Sequence, residues 1–126
     1  MQVLRVAVEP YGVCPLEAPL GLDLYLRGTR RGVWSLRFVA DVVHHQLAVD
    51  LDMEEHWEEN EEGAKVELKT GELQLVKLLP ESALESLGVL EARLVDEGQE
   101  LALVRLVTDV RWSGKEWQRG ILDPFR

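Results

Sequence analysis

From Leu87 to Trp112 apolar side chains recur at every second position on both sides of Asp96-Glu97-Gly98. A period of two is the spacing of an extended chain with one covered face, so the stretch predicts two long strands joined as a hairpin. A three-residue loop closed by Gly98 fits a type I turn followed by a left-handed residue. A two-residue loop through Glu97-Gly98 lacks the favoured Asn or Asp; it stays open and would shift the pairing by one. On the three-residue register Leu90, Ala92 and Leu94 share a side with Ala102, Val104, Leu106 and Val110. Glu91 and Arg93 share the other side with Leu101, Leu103, Arg105 and Val107. That second side is too apolar for plain solvation and too charged for a core, so the pattern predicts either a covering segment or a contact surface.

The same period runs through most of the chain. Val3, Leu4, Val6 and Val8 open a first strand, ended by Pro10, Gly12 and Pro15. Leu20, Leu22, Leu24 and Leu26 alternate with Gly21, Asp23 and Tyr25, the pattern of a half-buried strand. Gly28 to Gly32 reads as a basic turn. In the strand Val33 to Val43, Trp34, Leu36 and Phe38 face together as core while Ser35 and Arg37 face away. Gln46 to Leu51 gives a fourth strand. Ala64 to Leu79 reads as a second hairpin turning through Lys69-Thr70-Gly71, and Pro80 to Ser86 as one short helical turn. Gly114 breaks the chain before Trp117 to Leu122 packs back. With 126 residues, enough for one core, these features predict a single all-β domain. The expected architecture is an immunoglobulin-like antiparallel sandwich of seven or eight strands, a closed barrel being the competing topology.

Charge narrows the choice of partner. The formal net charge of -9 is concentrated in one place: Asp52, Glu54, Glu55, Glu58, Glu59, Glu61 and Glu62 are seven of the 23 acids, leaving 16 against 14 Lys and Arg elsewhere. Residues 52–63 therefore read as a flexible acidic loop. There Glu58 and Glu59 would steer a basic protein partner and Trp57 would anchor it, or the loop would only aid solubility. Nucleic acid is disfavoured because no basic face is clustered. No apolar run approaches the ~20 residues of a membrane helix, and no secretory leader is expected. A single Cys14 excludes an internal disulfide and reads as a small packing residue in a reducing, intracellular compartment, nuclear or cytoplasmic.

Catalytic signatures are missing. The chain has no glycine-rich phosphate loop, nucleophile elbow, paired-cysteine metal motif or His-Glu zinc motif, so neither a cofactor nor a metal is expected and the chain reads as non-enzymatic. Adjacent His44 and His45 would point to opposite faces of a strand and could not readily share an ion, and His56 lacks ligands at fixed spacing.

Four segments carry a family resemblance. They are Val3-Leu4-Arg5-Val6-Ala7-Val8 with the following loop and the Leu20 to Leu26 strand; Gly32-Val33-Trp34-Ser35-Leu36-Arg37-Phe38-Val39; Leu84 to Val89 into Gly98-Gln99-Glu100; and Gln118-Arg119-Gly120-Ile121-Leu122. Together the chain resembles the anti-silencing-function histone chaperone family, single immunoglobulin-like sandwiches that bind the histone H3-H4 dimer. The resemblance implies the fold and a histone-like partner. The family's binding residues do not carry over: its contact valine falls at Glu91, its arginine at Leu103 and its tyrosine at Val107. The acids beside its Trp fall at Arg31 and Val33. The implied function is a protein-interaction domain with Glu91, Arg93, Leu101, Leu103, Arg105 and Val107 as its contact face; a structural or adaptor subunit of a larger intracellular complex is the alternative.

Overall fold

The structure, a computed structural model, describes residues 1–40 and 46–122. The expectation for His44 and His45 lies outside those residues, as does the end of the strand drawn to Val43. The described residues form ten strands: β1 (Gln2–Glu9), β2 (Val13–Pro15), β3 (Gly21–Arg27), β4 (Val33–Ala40), β5 (Leu47–Leu51), β6 (Met53–Glu59), β7 (Ala64–Thr70), β8 (Gly88–Asp96), β9 (Gln99–Trp112) and β10 (Trp117–Ile121). Two short helices, α1 (Leu75–Leu78) and α2 (Glu81–Leu84), separate β7 from β8.

The strands form two antiparallel sheets, one ordered β1-β3-β7-β6 and one ordered β2-β10-β9-β8-β4-β5. No ladder joins the sheets among the described residues, so the fold is a sandwich and not a barrel. Its order is that of the immunoglobulin layout: β1, β3, β7 and β6 take the A-B-E-D positions, and β9, β8 and β4 take G-F-C. Trp34 sits on the C-position strand, buried, opposite Leu94 of the F-position strand. Leu22, Leu24, Leu26, Val66 and Leu68 of one sheet meet Leu36, Phe38, Leu90, Leu94 and Leu106 of the other in one apolar cluster. Alternation produces this core directly, because every second side chain of each strand enters the gap.

Several expected details are corrected. The central hairpin closes through a two-residue turn, not three: Asp96 pairs with Gln99, and Glu97 and Gly98 both adopt left-handed backbone (φ 50° and 79°), as a primed turn requires. A bulge between Leu94 and Val95 then makes Leu101 the extra residue. That extra residue restores the parity, so apart from Leu101 the two faces are composed as expected although each pair lies two residues further along, with Leu90 opposite Leu106 and Glu91 opposite Arg105.

The acidic stretch is not a flexible loop. Residues 53–59 form β6, a full partner of β7, with Met53, Glu55 and Trp57 turned inward and Glu54, His56 and Glu58 exposed. Lys69 and Lys65 stand opposite Glu54 and Glu58, cross-strand placement that makes a strand of acids tenable, and charge on this edge discourages pairing with another chain. The hairpin expected over 64–79 also fails. The ladder partners of β7 are β3 and β6, and the chain after it instead enters α1, where Leu75 and Leu79 bury an i, i+4 pair and Glu17 Oε1 accepts the backbone N–H of Leu75 at 2.9 Å. Cys14 is half-buried on β2, a strand short enough to have read as loop.

One buried charge secures the sandwich end. Arg119 of β10, 3 % exposed, turns inward beneath the segment between β2 and β3. Its Nη1 donates to the carbonyls of Leu16 (2.6 Å), Ala18 (2.7 Å) and Pro15 (3.3 Å), and Nη2 to Pro19 (3.4 Å). Burial pushes its pKa below the usual arginine value, partly offset by the nearby Cys14 and Glu17.

Candidate protein-binding face

The outward side of the six-stranded sheet is built in rows, because residues in register on neighbouring strands share a face. Asp50, Arg37, Glu91 and Arg105 form one row across β5, β4, β8 and β9. The next row is Ala48, Val39, Val89 and Val107, and a third holds Ser35, Arg93 and Leu103. A charged row thus lies between two that carry apolar side chains.

Every cation on this side of β4, β8 and β9 is paired. Arg37 meets Asp50 at 3.2 Å, Arg105 meets Glu91 at 3.0 Å, Arg93 meets Glu100 at 2.9 Å and Arg111 meets Asp109 at 2.8 Å. Glu91 lies between Arg37 and Arg105 with its side chain only 12 % exposed. Mutual pairing leaves the face close to neutral and holds the long side chains flat, so that it offers shape and apolar area more than a field. Between the ion pairs Leu103 and Val107 remain 39 % and 38 % exposed. Val39 and Val89, although outward-pointing, are buried.

The structure brings Glu91, Arg93, Leu103, Arg105 and Val107 together as the sequence predicted. Leu101 does not join them: displaced by the bulge, it packs half-buried against the core. Trp57, Glu58 and Glu59 lie on β6, in the other sheet. Trp57 is 9 % exposed and is no protruding anchor. Its indole N–H donates to Glu55 Oε1 while the Trp34 backbone N–H donates to Glu55 Oε2 at 3.2 Å, tying the sheets together, and the Arg30 guanidinium covers its ring at 5.6 Å. Glu58 and Glu59 are exposed. The β6 carboxylates and the outer face of β4, β8 and β9 therefore occupy different sheets, not one continuous surface.

On the outward side of the four-stranded sheet, Lys65 and Lys69 both approach Glu67, at 3.3 and 3.7 Å. Hydrogen bonding to Lys65 holds the Glu67 carboxyl below its usual range and raises Lys65 in return. Asp23, across the ladder from Glu67, is pushed up, chiefly by burial. His56 lies 3.9 Å from Glu58, and no group of three His, Cys, Asp or Glu suited to a metal occurs among the described residues. No helix among them is long and apolar enough to cross a membrane.

Sequence reasoning did not single out Arg37 and Asp50, although Arg37 alternates with Trp34, Leu36 and Phe38 and so had to face outward. It also passed over Trp112 and Trp117, whose pairing was visible only once the chain was taken to reverse between them. Compared with protein-family models and with curated proteins, the chain matches none.

Proposed function

We propose that this chain is a non-enzymatic protein-interaction domain, a divergent histone-chaperone-like sandwich that holds a basic protein on the outer face of β4, β8 and β9. The supporting observation is the pair of exposed apolar side chains, Leu103 and Val107, set among arginines and carboxylates already locked to one another. An apolar centre within a polar surround is the arrangement of a protein interface, and prearranged ion pairs reduce the entropy lost when it is covered. The exposed acids of β6, Glu54 and Glu58, supply the long-range attraction for a basic partner from the neighbouring sheet. The family resemblance makes a histone dimer the first partner to try, in an intracellular setting consistent with a lone cysteine.

The test is isothermal titration of a purified histone dimer into the wild-type chain and the variant Glu54→Gln/Glu58→Gln at low and physiological salt. Wild-type affinity that falls steeply with salt, and a flatter dependence in the variant, are expected; absence of binding at either salt overturns the reading. The second reading is a structural or adaptor subunit of a larger assembly. The neutrality of the face favours it, because a surface with all its cations paired exerts little pull at a distance, and it predicts an association almost insensitive to salt.

A further inference from the structure

At the end of the sandwich where β9 reverses into β10, Trp112 and Trp117 face each other across the ladder, Trp117 partly buried against the core. Their rings stand 5.6 Å apart at 63°, edge against face. The turn that joins them is fixed by Ser113, whose Oγ donates to the Glu116 carbonyl at 3.0 Å and accepts its N–H at 3.1 Å. Opposite the indoles stand Val76 of α1, Glu81 and Leu84 of α2, and Leu79 and Glu85 at the C-terminal ends of the two helices, and the seven residues line a half-open groove of about 320 Å³. That is the scale of a small-ligand site.

The chemistry of the lining is selective. Two indoles line the groove, and the electron-rich face of an indole attracts a cation held within ~6 Å of the ring. Two carboxylates add negative charge, and no Lys or Arg is among the lining residues. Neither Glu81 nor Glu85 forms an ion pair among the described residues, while Lys77 of α1 and Lys115 of the turn are not part of the lining. Trp112 keeps 57 % of its surface in water, a large apolar exposure for a ring that the fold itself does not use. Glu81 and Glu85 are exposed and hydrated, so a neutral apolar guest gains contact with the indoles alone, whereas a cation with apolar substituents gains the indoles and the negative charge together.

We propose that this groove binds an alkylammonium group, with Trp112 and Trp117 as its aromatic walls and Glu81 and Glu85 as its counter-charge. Such a group is carried by a methylated lysine side chain or by a free quaternary amine. The site is separate from the β4, β8 and β9 face, so either can fail without the other.

The test follows the four indole N–H signals by ¹H–¹⁵N NMR during titration with choline chloride, against sodium chloride at matched ionic strength and against 3,3-dimethylbutanol, its neutral isostere. The Trp112 and Trp117 signals, assigned through Trp112→Phe and Trp117→Phe, shift saturably with choline, and the isostere binds at least about ten-fold more weakly, as expected when charge carries the recognition. Glu81→Gln/Glu85→Gln weakens choline several-fold and leaves the isostere unchanged. A peptide with one trimethyllysine that saturates the same signals, where the unmodified peptide does not, assigns the group to a protein side chain; choline binding without peptide binding assigns it to a small amine. Equal affinity for choline and its isostere, or no saturable shift at Trp112 and Trp117, overturns the proposal.

Discussion

Replacing Arg119 with Met tests how far one buried guanidinium organises the end of the sandwich. The side chain donates at 2.6 and 2.7 Å to the carbonyls of Leu16 and Ala18, and two longer bonds at 3.3 and 3.4 Å reach Pro15 and Pro19. The short pair is charge-assisted, and bonds of that kind contribute roughly 1.5–3 kcal/mol each. Met fills similar volume and avoids desolvating a charge, which returns several kcal/mol, but it strands carbonyls beside the fully buried Leu16 at about 1–3 kcal/mol apiece. The net expectation is a loss of about 2–4 kcal/mol, or roughly 8–16 °C in Tm for a chain of this size. Urea unfolding followed by tryptophan fluorescence reads it as a lower midpoint at unchanged slope. Because the same segment carries Glu17, whose carboxylate caps α1 at Leu75 and Val76, faster amide exchange in α1 should accompany the loss. Arg119→Lys recovers only part of it, since an ammonium cannot fork across four carbonyls. An unfolding free energy for Arg119→Met within about 0.5 kcal/mol of wild type would refute the reasoning.

Three further outcomes follow from named residues. Asp23 is pushed above its ordinary 3.8, so the folded state binds its proton more tightly than the unfolded chain and its contribution falls as pH rises between those two values; Asp23→Asn should match wild type below that window and exceed it at pH 7 in urea unfolding. Glu97 holds φ at 50°, a conformation Asn adopts more readily, so Glu97→Asn should raise the unfolding free energy from urea titration by up to about 1 kcal/mol without altering the near-ultraviolet circular dichroism. Glu55→Ala removes the acceptor shared by the Trp34 and Trp57 N–H groups and should cost about 1–3 kcal/mol, with a shift of the Trp57 indole signal as the check.

What could be read from the sequence is the part set by alternation within one strand. Leu20 through Leu26, Trp34 through Phe38 and Leu90 through Leu94 declare their inner faces by a period of two, and those faces are the core. The outer face of Glu91, Arg93, Leu103, Arg105 and Val107 follows from the same rule. Features decided by distant residues could not be read this way. Strand β2 exists because β10, about a hundred residues later, pairs with it. Helix α1 and a strand are equally compatible with Leu73-Gln74-Leu75-Val76-Lys77-Leu78-Leu79, and the cap from Glu17 together with left-handed Gln74 favours the helix. In β6 composition concealed the pattern: counting acids suggested a loop, whereas Met53, Glu55 and Trp57 alternate like any strand and Lys65 and Lys69 lie in register on the next one. Arg119 reads as an ordinary polar residue until its carbonyl partners, Pro15 to Pro19, are brought beneath it.

Leu103 and Val107 form the centre of the proposed contact surface. Leu103 leaves 39 % of its surface in water, about 70 Å² for a side chain of its size, and Val107 somewhat less. At ~25 cal/mol per Å² their cover is worth roughly 3 kcal/mol, and glutamates in their place add the burial of unpaired charge. Titration of the histone dimer into Leu103→Glu/Val107→Glu, a variant whose urea midpoint should stay near wild type because both positions face solvent, should therefore show a Kd at least about a hundred-fold weaker. A Kd equal to that of the unaltered chain would contradict the assignment of this face.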